Sequence, residues 1–183
     1  MKKLLVCALV LGFAFPLLAR DVSGVNVPET VTVESKALKL NGAGLRKKAM
    51  FKVYVAALYV ETPSNDGTAI TSSDQIRSMH MHFLRDVKGE AVTEAITEGF
   101  EHNSKAQMPA LKERLGKLGA LIPNVAEGDL LTLTYVPGKG TVVSVKGVEK
   151  GTIEGKDFAD ALFGVWLGAN PVQGNLKADL LKG

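Results

Sequence analysis

The segment that most restricts the fold runs from residue 49 to residue 61 and reads AMFKVYVAALYVE. It is rich in Val, Tyr and Phe and contains neither Gly nor Pro, a composition typical of a β-strand. Because side chains alternate along a strand, Tyr54 and Leu58 are predicted on one face, and Val55 and Tyr59 on the other.

Other segments of the chain also have the alternation of strands. The predicted strands comprise residues 31–40, 49–61, 76–84, 130–136 and 141–145, with a short strand around Ile153. Asn41-Gly42 is interpreted as a turn that closes the first of them. The loop from Pro137 to Gly140 makes a hairpin of the fourth and fifth. Residues 20–30 are expected to be a loose leader.

The apolar spacing becomes helical after Gly89. A first helix is predicted through Val92, Ile96 and Phe100, and a second from Met108 to Leu118, preceded by a capping-box pattern at Ser104–Gln107. A third helix runs through Phe158 and Trp166 to a stop at Gly168, and Asn175 is expected to cap a last short helix. Strands, two helices, strands and helices in this order predict an α+β fold, with an antiparallel sheet and helices on one face.

The N-terminus has the pattern of a secretory signal. Lys2 and Lys3 precede an apolar run at residues 4–18, which is short for a membrane span, and Ala19 suits cleavage. An uncleaved anchor is the alternative, and Pro16 inside the run argues against it. We therefore predict a signal peptide over residues 1–19 and a single domain over residues 20–183, periplasmic or secreted from a bacterium.

Removing 19 of the 183 residues leaves 164, an ordinary size for one domain. The charge then becomes nearly balanced, because 22 Lys+Arg against 19 Asp+Glu loses Lys2 and Lys3. This balance weakens the case for a nucleic-acid partner and for binding to an anionic membrane. The only cysteine, Cys7, lies in the predicted signal, so the mature chain has no disulfide, thiolate nucleophile or Cys-based zinc site.

Arg46 follows the glycine-containing stretch NGAG at residues 41–44 and precedes the long strand. The stretch lacks the third glycine of a dinucleotide fingerprint and the Gly-Lys-Ser/Thr of a P-loop. Two interpretations of Arg46 stay open: a surface charge, or a guanidinium turned inward to hold a carboxylate or enolate. Tyr54 would add a neutral hydroxyl donor.

Other candidate sites are weaker. His80 and His82 share a strand face, but no third metal ligand lies at a local spacing, so no metal and no cofactor is predicted. No Gly-x-Ser-x-Gly elbow is present.

Three runs resemble the chalcone isomerase-like superfamily, in particular its bacterial secreted branch. They are NGAGLRKKAMFKVYVAALYVE, HFLRDVKGEAVTEAITEGFEHN and VEKGTIEGKDFADALFGVWLGANP. The resemblance covers about residues 29–182 and implies an open-faced β-sandwich, a large antiparallel sheet covered by a layer of helices.

The resemblance also implies roles for single residues. Arg46 stands where the family has its arginine, which stabilises developing charge in the isomerases and holds a carboxylate in the fatty-acid-binding members. Tyr54 stands at the family's catalytic threonine, which suits the binding members better. Val92 and Gly99 stand where the isomerases have a helix tyrosine and asparagine, and a later threonine or serine is not evident.

We therefore expect a non-catalytic protein that binds an apolar carboxylate such as a fatty acid. The predicted ligand-binding residues are Arg46, Tyr54, Tyr59 and Phe83. The alternative is an isomerase, an intramolecular lyase that acts on a chalcone-like or unknown substrate, with Arg46 as its only catalytic residue. A third possibility is a structural protein in which Arg46 forms a buried salt bridge, with Glu61 or Asp86.

Overall fold

A seven-stranded antiparallel sheet is the centre of the structure, a computed structural model that describes residues 19–182. Its strands follow one another in chain order: β3 (Thr30–Val33), β4 (Lys36–Lys48), β5 (Phe51–Val60), β6 (Arg77–Phe83), β7 (Leu130–Val136), β8 (Gly140–Val145) and β9 (Val148–Ile153). The predicted signal segment lies outside the described residues except for Ala19, and its cleavage stays a prediction.

In the described residues five α-helices accompany the sheet: α1 (Gly67–Ser72), α2 (Gly89–Asn103), α3 (Met108–Leu121), α4 (Lys156–Leu167) and α5 (Gly174–Leu180). Their apolar residues join those of one sheet face in a single core, which we call the inner core. The predicted α+β architecture, an antiparallel sheet with a layer of helices, is confirmed. None of the helices in residues 19–182 is long and apolar enough to cross a membrane.

The opposite face of the sheet carries a smaller outer core that includes Val55, Ala57 and Tyr59. Part of its cover is a two-stranded hairpin, β1 (Ala19–Val22) and β2 (Val25–Pro28), whose Val27 is fully buried. The predicted loose leader at residues 20–30 is therefore wrong, because most of it forms this hairpin.

The predicted turn at Asn41-Gly42 is wrong, because β4 runs through it without a reversal. The chain reverses on either side of it, at Glu34–Ser35 between β3 and β4 and at Ala49–Met50 between β4 and β5. Glu34, Ser35 and Ala49 all have positive φ. The glycines instead allow α5 to pack against the strand: a Cβ on Gly42 would lie 2.7 Å from the Leu180 carbonyl carbon, and one on Gly44 2.6 Å from Asp179 Cβ. Neither distance is possible for a real side chain, so these positions need glycine.

Two predicted helix caps are also wrong. Ser104 leads into a short 3-10 turn at Lys105–Gln107, and neither Ser104 nor Gln107 makes a side-chain capping hydrogen bond. The N-cap of α5 is Gln173 rather than Asn175, which lies inside the helix.

Candidate functional site

A cavity of about 290 Å³ lies between the inner face of the sheet and helices α2 and α4. Most of its lining is apolar and comes from β5, β6, α2, α4 and the segment after α4: Val53, Tyr54, Met81, Phe83, Val87, Ala91, Val92, Ala95, Ile96, Gly99, Val165, Trp166, Pro171 and Val172. Polar lining groups are few: Arg46, Lys48, Glu98, His102 and Asn170. An apolar space with a few polar groups is the usual form of a small-molecule site.

Arg46 lies where the β4–β5 hairpin meets this cavity, directly opposite Tyr54 in the strand register. Its Nη1 donates to Gln173 Oε1 at 3.2 Å and to the Lys47 carbonyl oxygen. Among residues 19–182 no carboxylate lies within 4.0 Å of its nitrogens. The guanidinium is thus half-buried and keeps Nε and Nη2 available.

The expected salt-bridge partners of Arg46 are engaged elsewhere. Glu61 pairs with Lys36 at 2.7 Å, and Asp86 accepts a hydrogen bond from the Glu127 amide at 2.9 Å. The hypothesis that a buried salt bridge with Glu61 or Asp86 explains Arg46 is therefore wrong.

Gln173 holds Arg46 in place. Its Oε1 also accepts from the Lys47 amide at 2.9 Å, and its Nε2 donates to the Leu45 carbonyl at 3.1 Å. These bonds attach the start of α5 to the end of β4. Gln173 is not among the predicted site residues, since its 127-residue separation from Arg46 leaves no local pattern that could connect them.

Tyr54 supplies a neutral hydroxyl beside the guanidinium. The side chain is buried, and its Oη accepts a hydrogen bond from Trp166 Nε1 at 3.0 Å. Burial raises the pKa of the phenol, whereas the Trp166 bond and the Arg46 guanidinium, through its charge and as a hydrogen-bond donor, lower it less, so the group keeps its proton. The described residues offer no acceptor for that proton, which leaves it free to donate to a ligand.

The predicted site residues do not all come together. Phe83 lines the cavity beside Tyr54, with ring centroids 5.6 Å apart. Tyr59 lies on the other face of the sheet, where its hydroxyl donates to the Pro28 carbonyl at 2.8 Å. The prediction that Tyr59 binds the ligand together with Arg46 and Tyr54 is wrong. Residues 54 and 59 are separated by an odd number of positions on one strand, so their side chains lie on opposite faces.

Val92 and Gly99, where the isomerases have polar residues, both face the cavity. Gly99 is where α2 crosses α4, and a Cβ there would lie 2.7 Å from Val165 Cγ1. The close helix packing therefore requires a residue without a side chain at this position.

The two histidines of β6 lie outside the cavity. Burial, with a smaller contribution from His82, lowers the pKa of His80 to about 4, and its ring centroid lies 4.7 Å from that of Tyr59. Within residues 19–182 no three His, Cys, Asp or Glu side chains are grouped as a metal site would require.

The sequence model of the chalcone isomerase-like family matches residues 19–182. The protein belongs to this family. A solved structure of a fatty-acid binding protein from Arabidopsis thaliana superimposes with a TM-score of 0.68, covering 87% of this chain and 92% of that one at 16% identity. At that identity the likeness establishes the chalcone isomerase-like fold, as predicted from the three sequence runs. Comparison with curated proteins finds no match to this sequence.

Proposed function

We propose that this chalcone isomerase-like protein is a non-catalytic binding module for an apolar carboxylate such as a fatty acid. The acyl chain occupies the cavity, and the headgroup lies against Arg46 and Tyr54. The protein acts in the periplasm or outside the cell, after its signal peptide is removed near Ala19.

The proposal rests on two groups that lie side by side. Within residues 19–182, Arg46 is a cation without a counter-ion and Tyr54 is a neutral donor without an acceptor. Arg46 offers Nε and Nη2, and Tyr54 offers its O–H, at one end of an apolar space. A carboxylate can accept from both, and bonds from a guanidinium are among the stronger hydrogen bonds in proteins. The likeness in fold to a fatty-acid binding protein supports the same ligand class.

The cavity wall favours binding over isomerisation. An intramolecular addition to an enone needs polar groups that orient the reacting atoms, in addition to a charge at the carbonyl. Val92 and Gly99 offer none at the positions where the isomerases have them.

The size of the cavity limits the ligand. A volume of about 290 Å³ is at the lower end of the roughly 300–1,000 Å³ found for small-molecule pockets. We therefore expect chains of medium length, such as octanoate and decanoate, to bind better than hexadecanoate.

The test is a calorimetric titration of decanoate and of its uncharged analogue decanol. In Arg46→Ala the affinity for decanoate should fall roughly 10- to 100-fold, because a hydrogen bond to a charged group contributes about 1.5–3 kcal/mol. The affinity for decanol should hardly change. Lys47→Ala is the matched control, since Lys47 is a neighbouring cation outside the cavity lining. An equal loss for acid and alcohol, or none for either, would refute a headgroup role for Arg46.

The proposed location has its own test. Cell fractionation should place the protein outside the cytoplasm, and mass spectrometry should find Arg20 at its N-terminus. An intact N-terminus would contradict cleavage without affecting the binding proposal.

A further inference from the structure

The turn between β4 and β5 exposes two large apolar side chains. Met50 is 86% exposed and Phe51 is 54% exposed. In the described part of the chain, Val148 at the opposite edge of the sheet is the other large apolar residue of this kind. Two adjacent exposed apolar residues at the tip of a hairpin indicate a contact surface rather than the scattered exposure that is normal for proteins.

Cations surround these two residues. Lys47, Lys48 and Lys52 lie on the same hairpin, and the Arg85 guanidinium lies over the Phe51 ring at 4.7 Å from its centroid. In residues 19–182 none of the four has a carboxylate within 4.0 Å. We call Lys47–Lys52 together with Arg85 the hairpin tip.

The hairpin tip contains no acidic residue. The nearest acid in sequence is Asp86, whose Oδ1 accepts from the Glu127 amide. By contrast, the turn that precedes Val148 has mixed charge, because Lys146 pairs with Asp129 at 3.0 Å and Glu149 follows. The excess of positive charge at the hairpin tip is therefore local, because residues 20–183 as a whole have 20 Lys+Arg, 22 less Lys2 and Lys3, against 19 Asp+Glu.

We propose that the hairpin tip docks onto an anionic lipid bilayer. Two apolar side chains can enter the interfacial region, while the surrounding Lys and Arg side chains reach lipid headgroups and lose no internal ion pair. A protein partner would need an apolar pocket ringed by acids, whereas an anionic bilayer supplies both features without further specificity.

Docking in this way would place the cavity next to the membrane. Lys48 in the hairpin tip and Arg46 just before it both line the cavity, so its polar end would face the headgroups. An amphiphile could then pass between bilayer and cavity over a short path. The docking itself does not depend on the proposed ligand, because the side chains of Lys47, Met50, Phe51, Lys52 and Arg85 lie outside the cavity lining.

The test measures vesicle binding by cosedimentation, without added ligand. Vesicles contain either phosphatidylcholine alone or phosphatidylcholine mixed with phosphatidylglycerol. Wild type should bind the mixed vesicles, with binding that weakens as salt is added. The double variants Met50→Ser/Phe51→Ser and Lys47→Ser/Lys52→Ser should each lose about tenfold in partition coefficient.

The matched control is Val148→Ser/Lys150→Ser, which removes one exposed apolar residue and one exposed cation from the other hairpin. It should bind within about twofold of wild type. All variants are expressed from the same full-length sequence and purified in the same way, so residues outside 19–182 are identical in all of them. Thermal melts should show that each variant folds.

Equal vesicle binding by the tip variants and the control would overturn the proposal, as would no binding by wild type. Tip-dependent crosslinking to a protein without vesicle binding would also overturn it and would indicate a protein partner. A decanoate titration of the tip variants separates the two proposals, because a failure of docking leaves that affinity intact.

Discussion

Two arginines on the inner face of the sheet have opposite surroundings. Arg77 is fully buried and pairs with Asp160 at 2.5 Å, donates to the Ser73 carbonyl at 2.7 Å, and lies against the rings of Tyr135 and Phe163. Arg46 is half-buried and has no carboxylate beside it within the described residues. Arg77 therefore uses most of its hydrogen-bonding capacity to hold β6 against α1 and α4, whereas Arg46 keeps part of its capacity for something outside the protein.

The two arginines show what decides the role of a charged side chain inside a fold. A charge that the protein itself neutralises has a structural role, and one that it leaves without a counter-ion can bind a ligand. A buried cation must be paired, since removal of one partner leaves the other uncompensated. The network around Arg77 extends to Lys156, which lies 2.7 Å from Asp160. In the described part of the chain, residues 19–182, no comparable network of carboxylates surrounds Arg46.

The largest expected effect is on stability and concerns Arg77, the arginine with the structural role. Arg77→Ala should lower the free energy of unfolding by about 3–5 kcal/mol, because it removes one of the two cations paired with Asp160 and the packing against two rings. Arg46→Ala should cost less than about 1 kcal/mol. Urea denaturation measures both, and equal losses would show that Arg46 is structural as well.

A second prediction uses His80, a half-buried base that forms no ion pair within residues 19–182. The pKa of His80 falls from 6.5 to about 4 in the folded protein, so between these pH values the unfolded chain binds a proton that the folded protein does not. Stability should therefore fall by about 2–3 kcal/mol as the pH drops through this window. His80→Gln should show a shallower dependence in urea denaturation at about pH 7 and about pH 4.5. Parallel curves for the two proteins would contradict the prediction.

A third prediction concerns the helices that close the cavity. Gly99→Ala should destabilise by about 1–3 kcal/mol, because its methyl group overlaps Val165. Gly116→Ala in α3 is the matched control: a Cβ there meets nothing within 4 Å, so it should stabilise by up to about 1 kcal/mol. Thermal denaturation gives both signs, and two shifts of the same sign would refute the packing argument.

The smallest expected effect is on ligand affinity and concerns Tyr54, whose hydroxyl lies beside Arg46. Tyr54→Phe keeps the ring but removes the hydroxyl, and should weaken decanoate binding by about five- to tenfold, since one hydrogen bond contributes about 1 kcal/mol. Binding of decanol should change less. Unchanged decanoate affinity would leave Arg46 as the sole headgroup contact.

Much of the fold was predictable because its signals are local. The alternation at residues 49–61 placed Tyr54 and Tyr59 on opposite faces, as β5 has them, and the helical spacing identified α2. The short helix α1 was missed although Asp66 caps it, because it has only six residues.

The errors arise where tertiary packing decides the conformation. Gly42 and Gly44 are typical turn residues, yet they lie inside a strand because α5 occupies the space above them. For the site, Arg46, Tyr54 and Phe83 came from the pattern and the family resemblance. Gln173 has no local signal, because 127 positions of sequence separate it from Arg46 and only the tertiary fold brings the two together.

The proposed role of Arg46 is to hold a carboxylate at the end of an apolar cavity. The most direct measurement is mass spectrometry of what copurifies with wild type, Lys47→Ala and Arg46→Ala, native and after solvent extraction. We expect a stoichiometric apolar carboxylate in wild type and in Lys47→Ala, and its loss from Arg46→Ala. The same ligand in equal amount in all three, or a ligand without an acidic group, would contradict it.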